Sequence, residues 1–140
     1  MMSGVPPCFS RRQLLVVSGA AGGAVLLAAC SAGDGVPELT GVGTGDVVVA
    51  LSEVPVGGAY EVSIDGRRVI VTQPQAGTVV AFDATCTHQG CTVRATDAGL
   101  ACPCHGSVFD PATGAAVHGP ATKPLADVGV AVSGADVVLS

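Results

Sequence analysis

Four cysteines and two histidines crowd into two short segments of this chain, and whatever it folds into must be built around them. The segments are Cys86-Thr87-His88-Gln89-Gly90-Cys91 and Cys102-Pro103-Cys104-His105-Gly106-Ser107. Three kinds of chemistry use such residues. Two disulfides could staple a small exported domain, which accounts for the cysteines but not for His88 and His105 at fixed offsets from them. A zinc site could use both residue types, but common structural zinc sites rest on a Cys-x₂₋₄-Cys knuckle, and the first segment here is Cys-x-His. A two-iron cluster with thiolates on one iron and imidazoles on the other takes one Cys and one His from each segment.

The rest of the body reads as short strands. Asp46 to Leu51 is a compact apolar run, and Val54-Pro55-Val56-Gly57-Gly58 is turn punctuation. Tyr60, Val62 and Ile64 then alternate with Glu61, Ser63 and Asp65, the period of a half-buried strand. Asp65-Gly66 is a hairpin signal, because both residues tolerate positive φ. Arg67 to Thr72 is the expected partner strand, Pro74 to Thr78 a second turn, and Val79 to Phe82 a third strand entering the first cysteine segment. Near the end, Val128, Val130 and Val132 alternate with small residues, Gly134-Ala135-Asp136 turns, and Val137 to Leu139 closes the chain. Antiparallel all-β structure is the expectation.

CTHQGC and CPCHGS resemble the two cluster-binding loops of Rieske [2Fe–2S] proteins, both complete and in order. A weaker similarity extends over residues 46–140, through Val54–Gly58, Val80-Ala81-Phe82-Asp83, Phe109-Asp110 and Gly119-Pro120-Ala121. The resemblance implies an antiparallel β-sandwich with a small cluster-binding subdomain, about residues 84–121, formed by two loops. It implies one [2Fe–2S] cluster per chain, with Cys86 and Cys102 on the inner iron and His88 and His105 on the outer one. Cys91 and Cys104 would form the disulfide of the high-potential branch. Ser107 stands where the family places a hydroxyl donor to a bridging sulfide. Phe109 stands where respiratory members often carry a Tyr that donates to a cysteine sulfur; a phenyl ring cannot donate, so a lower potential than in those members is expected. Pro120 would belong to a third loop covering the cluster. The two histidine ligands imply reduction coupled to proton uptake at alkaline pH. His118, just before that loop, reads as a solvated side chain, or as one that supports the cluster ligands or docks a partner.

The N-terminus reads as an address. Ser10-Arg11-Arg12-Gln13 precedes Leu14 to Ala29, a mostly apolar run of 16 residues interrupted by Gly19, Gly22 and Gly23. A membrane-spanning helix needs about 20 apolar residues, so an export signal fits better. The paired arginines resemble the twin-arginine motif, and Leu27-Ala28-Ala29-Cys30 resembles a lipoprotein box. That box implies cleavage before Cys30 and its lipidation, where two acyl chains anchor stably and one would not. A cleaved signal without lipid and a short uncleaved anchor are the other readings. The expected organisation is a signal over 1–29, a Gly-rich tether over 30–45 and a folded domain over 46–140.

From Ser31 onward eleven carboxylates face Arg67, Arg68, Arg94 and Lys123, a net charge of −7. No basic patch remains to neutralise a phosphate backbone, which argues against nucleic acid as a partner. Acidity of this size serves solubility, or docking to a basic redox partner. No nucleophile–base pair or nucleotide loop is evident. The expected function is one-electron transfer on the outer face of the cytoplasmic membrane, as a stand-alone carrier or an oxidoreductase subunit working with a redox protein partner. The iron–sulfur subunit of a quinol-oxidising cytochrome bc-type complex is a specific version of this. A zinc- or disulfide-stabilised binding module without redox chemistry is the alternative of another class.

Overall fold

The computed structural model describes residues 34–140. The expected signal, the paired arginines and Cys30 lie outside the described residues. The described chain contains twelve strands and one 3₁₀ turn (Leu51–Glu53): β1 (Glu38–Leu39), β2 (Val47–Ala50), β3 (Ala59–Ile64), β4 (Arg67–Gln75), β5 (Thr78–Asp83), β6 (Arg94–Thr96), β7 (Gly99–Ala101), β8 (Val108–Phe109), β9 (Ala116–His118), β10 (Asp127–Val128), β11 (Val130–Ser133) and β12 (Asp136–Leu139). They form three sheets, ordered β1-β3-β4-β5-β10, β11-β12-β2 and β6-β7-β8-β9. Every pairing is antiparallel except β1 with β3. Among the described residues no helix is long and apolar enough to cross a membrane.

The middle of the first sheet is covered on both faces, and the alternation of β4 and β5 divides its side chains between two cores. Val69, Val71 and Ala81 join Val48, Val49, Val54, Val62 and Val137 in a valine-rich core shared with the second sheet. Ile70 and Phe82 point the other way, into a core with Ala84, Val93, Leu100, Phe109, Ala121, Leu125 and the two cysteines Cys86 and Cys102. Such double burial explains why the sequence of β4 runs apolar without alternation. Tyr60 and Ile64 flank Val62 on the first core, as their period-two spacing requires. Asp65 and Gly66 both take positive φ, 48° and 77°, in the tight hairpin between β3 and β4.

Several boundaries differ from the sequence reading. β4 runs three residues past Thr72, through a register shift that lets Pro74 sit in a strand; the turn shrinks to Ala76-Gly77. Val128 and Val130 do not share a strand. Gly129 separates β10, on the first sheet, from β11, on the second. A Cβ at Gly129 would come within 2.8 Å of the Ser140 carbonyl. Residues 34–45, expected as tether, are docked. β1 pairs with β3, Glu38 accepts from the Gly66 amide at 2.8 Å, and Asp34 pairs with Arg68 and Arg94. The Arg68 guanidinium holds the Asp34 carboxyl below its ordinary range.

Gly114 sits where the loop after β8 crosses the face of Phe82. Its φ is +69°, and a Cβ there would lie 2.7 Å from the Phe82 ring. Gly77 has a similar φ of +77° but open space around it. Gly114→Ala is expected to cost about 2–4 kcal/mol, from left-handed strain plus overpacking, and Gly77→Ala only about 1–2 kcal/mol from strain alone. Denaturant unfolding of both variants checks this; equal losses would show that the Phe82 contact plays no part.

Candidate metal centre

The two cysteine–histidine segments are hairpin tips. The first is closed by a bridge between Thr85 and Thr92 and by the Val93 amide donating to the Ala84 carbonyl at 2.7 Å. The second joins β7 to β8. Inside each tip the backbone repeats one pattern. The Cys86 amide donates to the carbonyl five residues on, at Cys91, and its carbonyl accepts from Gly90, at 2.8 and 2.9 Å. Cys102 does the same with Ser107 and Gly106, at 2.8 and 3.0 Å. Gly90 and Gly106 take φ of 78° and 77°, which only glycine adopts without strain. The glycine in both motifs is therefore a requirement of the turn.

This pattern turns Cys86 and Cys102 inward while the residues after them stay outside. Both thiols are free and buried, each residue 3% exposed. Cys91 and Cys104, nearer the surface, are joined in a disulfide that ties one tip to the other. The His88 and His105 rings meet edge to face, with centroids 4.9 Å apart. His105 is exposed, and His88 is partly buried. Asp83 braces the approach to the first tip. Its carboxylate accepts from the Thr85 amide at 2.9 Å and from Arg67. Burial pushes its pKa up, but the hydrogen bonds from Thr85 and Arg67 outweigh that and hold it below the ordinary value.

The third loop, after β9, is fastened to both tips. Thr87 donates from its hydroxyl to the Lys123 carbonyl at 2.8 Å. The Ala121 amide donates to the Ser107 hydroxyl oxygen at 3.0 Å. Pro120 follows a cis peptide and is exposed. His118 lies at the end of β9 and is exposed. Phe109 is fully buried in the same core as Cys86 and Cys102.

Three observations test these residues against a two-iron cluster. His88 Nδ1 is buried and has no hydrogen-bond partner, which is costly for a ring nitrogen unless something else occupies it. The Ser107 hydroxyl accepts from Ala121, and among the described hydrogen bonds its own proton goes to no protein acceptor. It is free to donate to a ligand. Finally, four ligands closed around one zinc ion stand about 3.3–3.8 Å apart. Among the described residues, the set of three or more donor atoms within 4.8 Å of one another is Cys91, Cys102 and Cys104. Two of those sulfurs are consumed by the disulfide. Among the described residues, Cys86, His88, Cys102 and His105 are not gathered within 4.8 Å of one another, a spacing compatible with a mixed thiolate–imidazole set shared between two irons.

What sequence reasoning missed is the sheet that carries the second tip. β6 to β9 are two or three residues long, too short for an alternating pattern to register. The Thr87 and Ser107 links to the third loop are likewise invisible in sequence, since they join residues 36 and 14 positions apart.

Comparison with known proteins agrees with this geometry. Residues 46–131 match the family model described as the Rieske [2Fe-2S] domain. The cytochrome b6-f complex iron-sulfur subunit 1 of Synechocystis is 31% identical over an alignment covering 96% of this chain and 86% of that one. A protein of Bacillus subtilis named as a Rieske 2Fe-2S iron-sulfur protein is 40% identical over 82 residues, but those are 57% of this chain and only 16% of that one. Of several further cytochrome b6-f iron-sulfur subunits the chain spans less than half. Among solved structures, the plasma membrane Rieske protein PetC3 of Synechocystis superimposes with a TM-score of 0.60 at 30% identity, covering 68% of this chain and 98% of that one. The chain belongs to the Rieske [2Fe–2S] family, and the cofactor that family membership assigns to it is one [2Fe–2S] cluster.

Proposed function

We propose that this chain carries single electrons on the outer face of the cytoplasmic membrane, through a cluster held by Cys86 and Cys102 on one iron and His88 and His105 on the other. The observation that carries the reading is the pair of free, buried thiols together with a buried imidazole nitrogen, His88 Nδ1, that has no partner among the described residues. When bound, the cluster supplies a one-electron couple. The protein's own contribution is positioning and shielding. Buried Cys86 and Cys102 sit against Phe109 and Leu100, away from water. The disulfide and the third loop limit how far the tips can open. His105, on the exposed side, is where an electron enters or leaves. Ser107 offers a hydrogen bond that draws negative charge from the cluster and favours its reduced state.

A second reading, the iron–sulfur subunit of a quinol-oxidising complex, is favoured by the names of the b6-f relatives. In it, exposed His105 would accept the quinol's proton as the electron passes. The proposed address is a signal over 1–29 cut before a lipidated Cys30, with residues 30–33 and the docked stretch beyond joining the anchor to the domain. Mass spectrometry of the mature protein should find a diacylated Cys30 at the N-terminus; recovery of intact Leu14–Ala29 would refute that processing.

Potentiometric titration of the anaerobically purified protein tests the electron-carrier reading. A single one-electron wave is expected, and a protein without a redox wave would overturn the reading. Phe109→Tyr should raise the midpoint by about 20–65 mV, the one-electron equivalent of a ~0.5–1.5 kcal/mol hydrogen bond to a cysteine sulfur. An unchanged or lower midpoint would mean that the ring at 109 does not reach the sulfur.

A further inference from the structure

The charges of this domain are divided between its body and its cluster end. The three segments that build the cluster end, residues 84–93, 101–109 and 115–124, contain no aspartate or glutamate and one lysine, Lys123. All eleven carboxylates lie elsewhere. Three of the four basic residues from Asp34 onward are consumed in ion pairs: Arg67 with Asp83, and Arg68 and Arg94 with Asp34 and Glu61. Among the described residues Lys123 is in none. It is exposed, and its carbonyl is held by Thr87, the neighbour of His88, at 2.8 Å. Among the described residues, the one basic side chain outside an ion pair is thus carried by a loop whose backbone is tied next to His88, on a domain that is otherwise strongly negative.

From this we infer that Lys123 is a docking charge for a redox protein that carries carboxylates around the exposed edge of its own cofactor. Complementarity of charge selects such a partner. A basic partner would be drawn to the acidic body, far from the imidazoles. An acidic partner is repelled by the body and finds only the cluster end free of like charge. The body charges beyond a Debye length of ~8 Å are screened at physiological salt, whereas a carboxylate meeting Lys123 at contact is not. Pro103, Val117 and Pro120, in the segments that build the cluster end, are exposed and apolar and suit the dry part of a small interface. This assignment rests on the electron-carrier reading.

Small oxidants of opposite charge test it on the intact holoprotein. Dithionite-reduced protein gives up one electron to ferricyanide, forming ferrocyanide, or to tris(phenanthroline)cobalt(III), forming the cobalt(II) complex; no proton is required. At about 10 mM ionic strength, Lys123→Gln should slow the trianion about three- to ten-fold and speed the trication, with rates compared at each variant's own midpoint potential. Near 1 M salt both effects should vanish. Ser133→Asp makes the same change in net charge on an exposed residue of the second sheet, away from the tips, and should leave the ratio of the two rates within about twofold. Equal responses to both oxidants, or an equal change of ratio in Ser133→Asp, would overturn the assignment. So would a Lys123→Gln protein that discriminates as the wild type does. A preparation lacking the reduced-state EPR signal defeats the electron-carrier reading itself; a normal signal without charge discrimination defeats only the role of Lys123.

Discussion

Two hairpin tips held face to face are the constraint on which the rest of this structure depends. Neither tip is rigid by its own hydrogen bonds. Each is a six-residue turn closed by two backbone contacts around a positive-φ glycine. Their mutual position comes from three separate ties: the Cys91–Cys104 disulfide, the burial of Cys86 and Cys102 in one core, and the third loop bonded to Thr87 and Ser107. Remove the ties and two free thiols lose their shared environment. With them in place, Cys86 and Cys102, from segments separated in sequence, stay buried in one core.

The scaffold explains how a domain without tryptophan and with one tyrosine can hold such a centre. β4 and β5 serve two cores at once, with Val69 and Val71 on one face and Ile70 on the other. The valine core closes the sandwich, and the Ile70–Phe82 core is the floor on which the cysteines rest. Gly114 matters for the same reason, since only a residue without Cβ lets its loop lie flat on Phe82. The Glu61 carboxylate joins the two parts by accepting from Arg68, Arg94 and the Ala95 amide.

Much of this was legible in the residues. Tyr60, Val62 and Ile64 announced their strand, and Asp65-Gly66 its hairpin, because local sterics and period-two burial decide them. The two motifs pointed to their family because the glycine and cysteine spacings are demanded by the turn itself. The cores' division of β4 was not legible, since a strand buried on both faces has no alternation to read. Nor was the docking of residues 34–45, which depends on Arg68 and Gly66 far along the chain. The charge division between body and cluster end could be counted in sequence, but its meaning depends on the ion pairs that, among the described residues, take up Arg67, Arg68 and Arg94 and leave out Lys123.

The proposed electron transfer requires imidazoles to bind iron on one side and thiolates on the other. Pulsed EPR of the reduced protein, grown with ¹⁵N-histidine, measures this directly. Two strongly coupled histidine nitrogens are predicted, with the coupling of one lost in a His105→Cys variant that still assembles a cluster. A diamagnetic protein, or a cluster signal showing no coupled nitrogen, would contradict it.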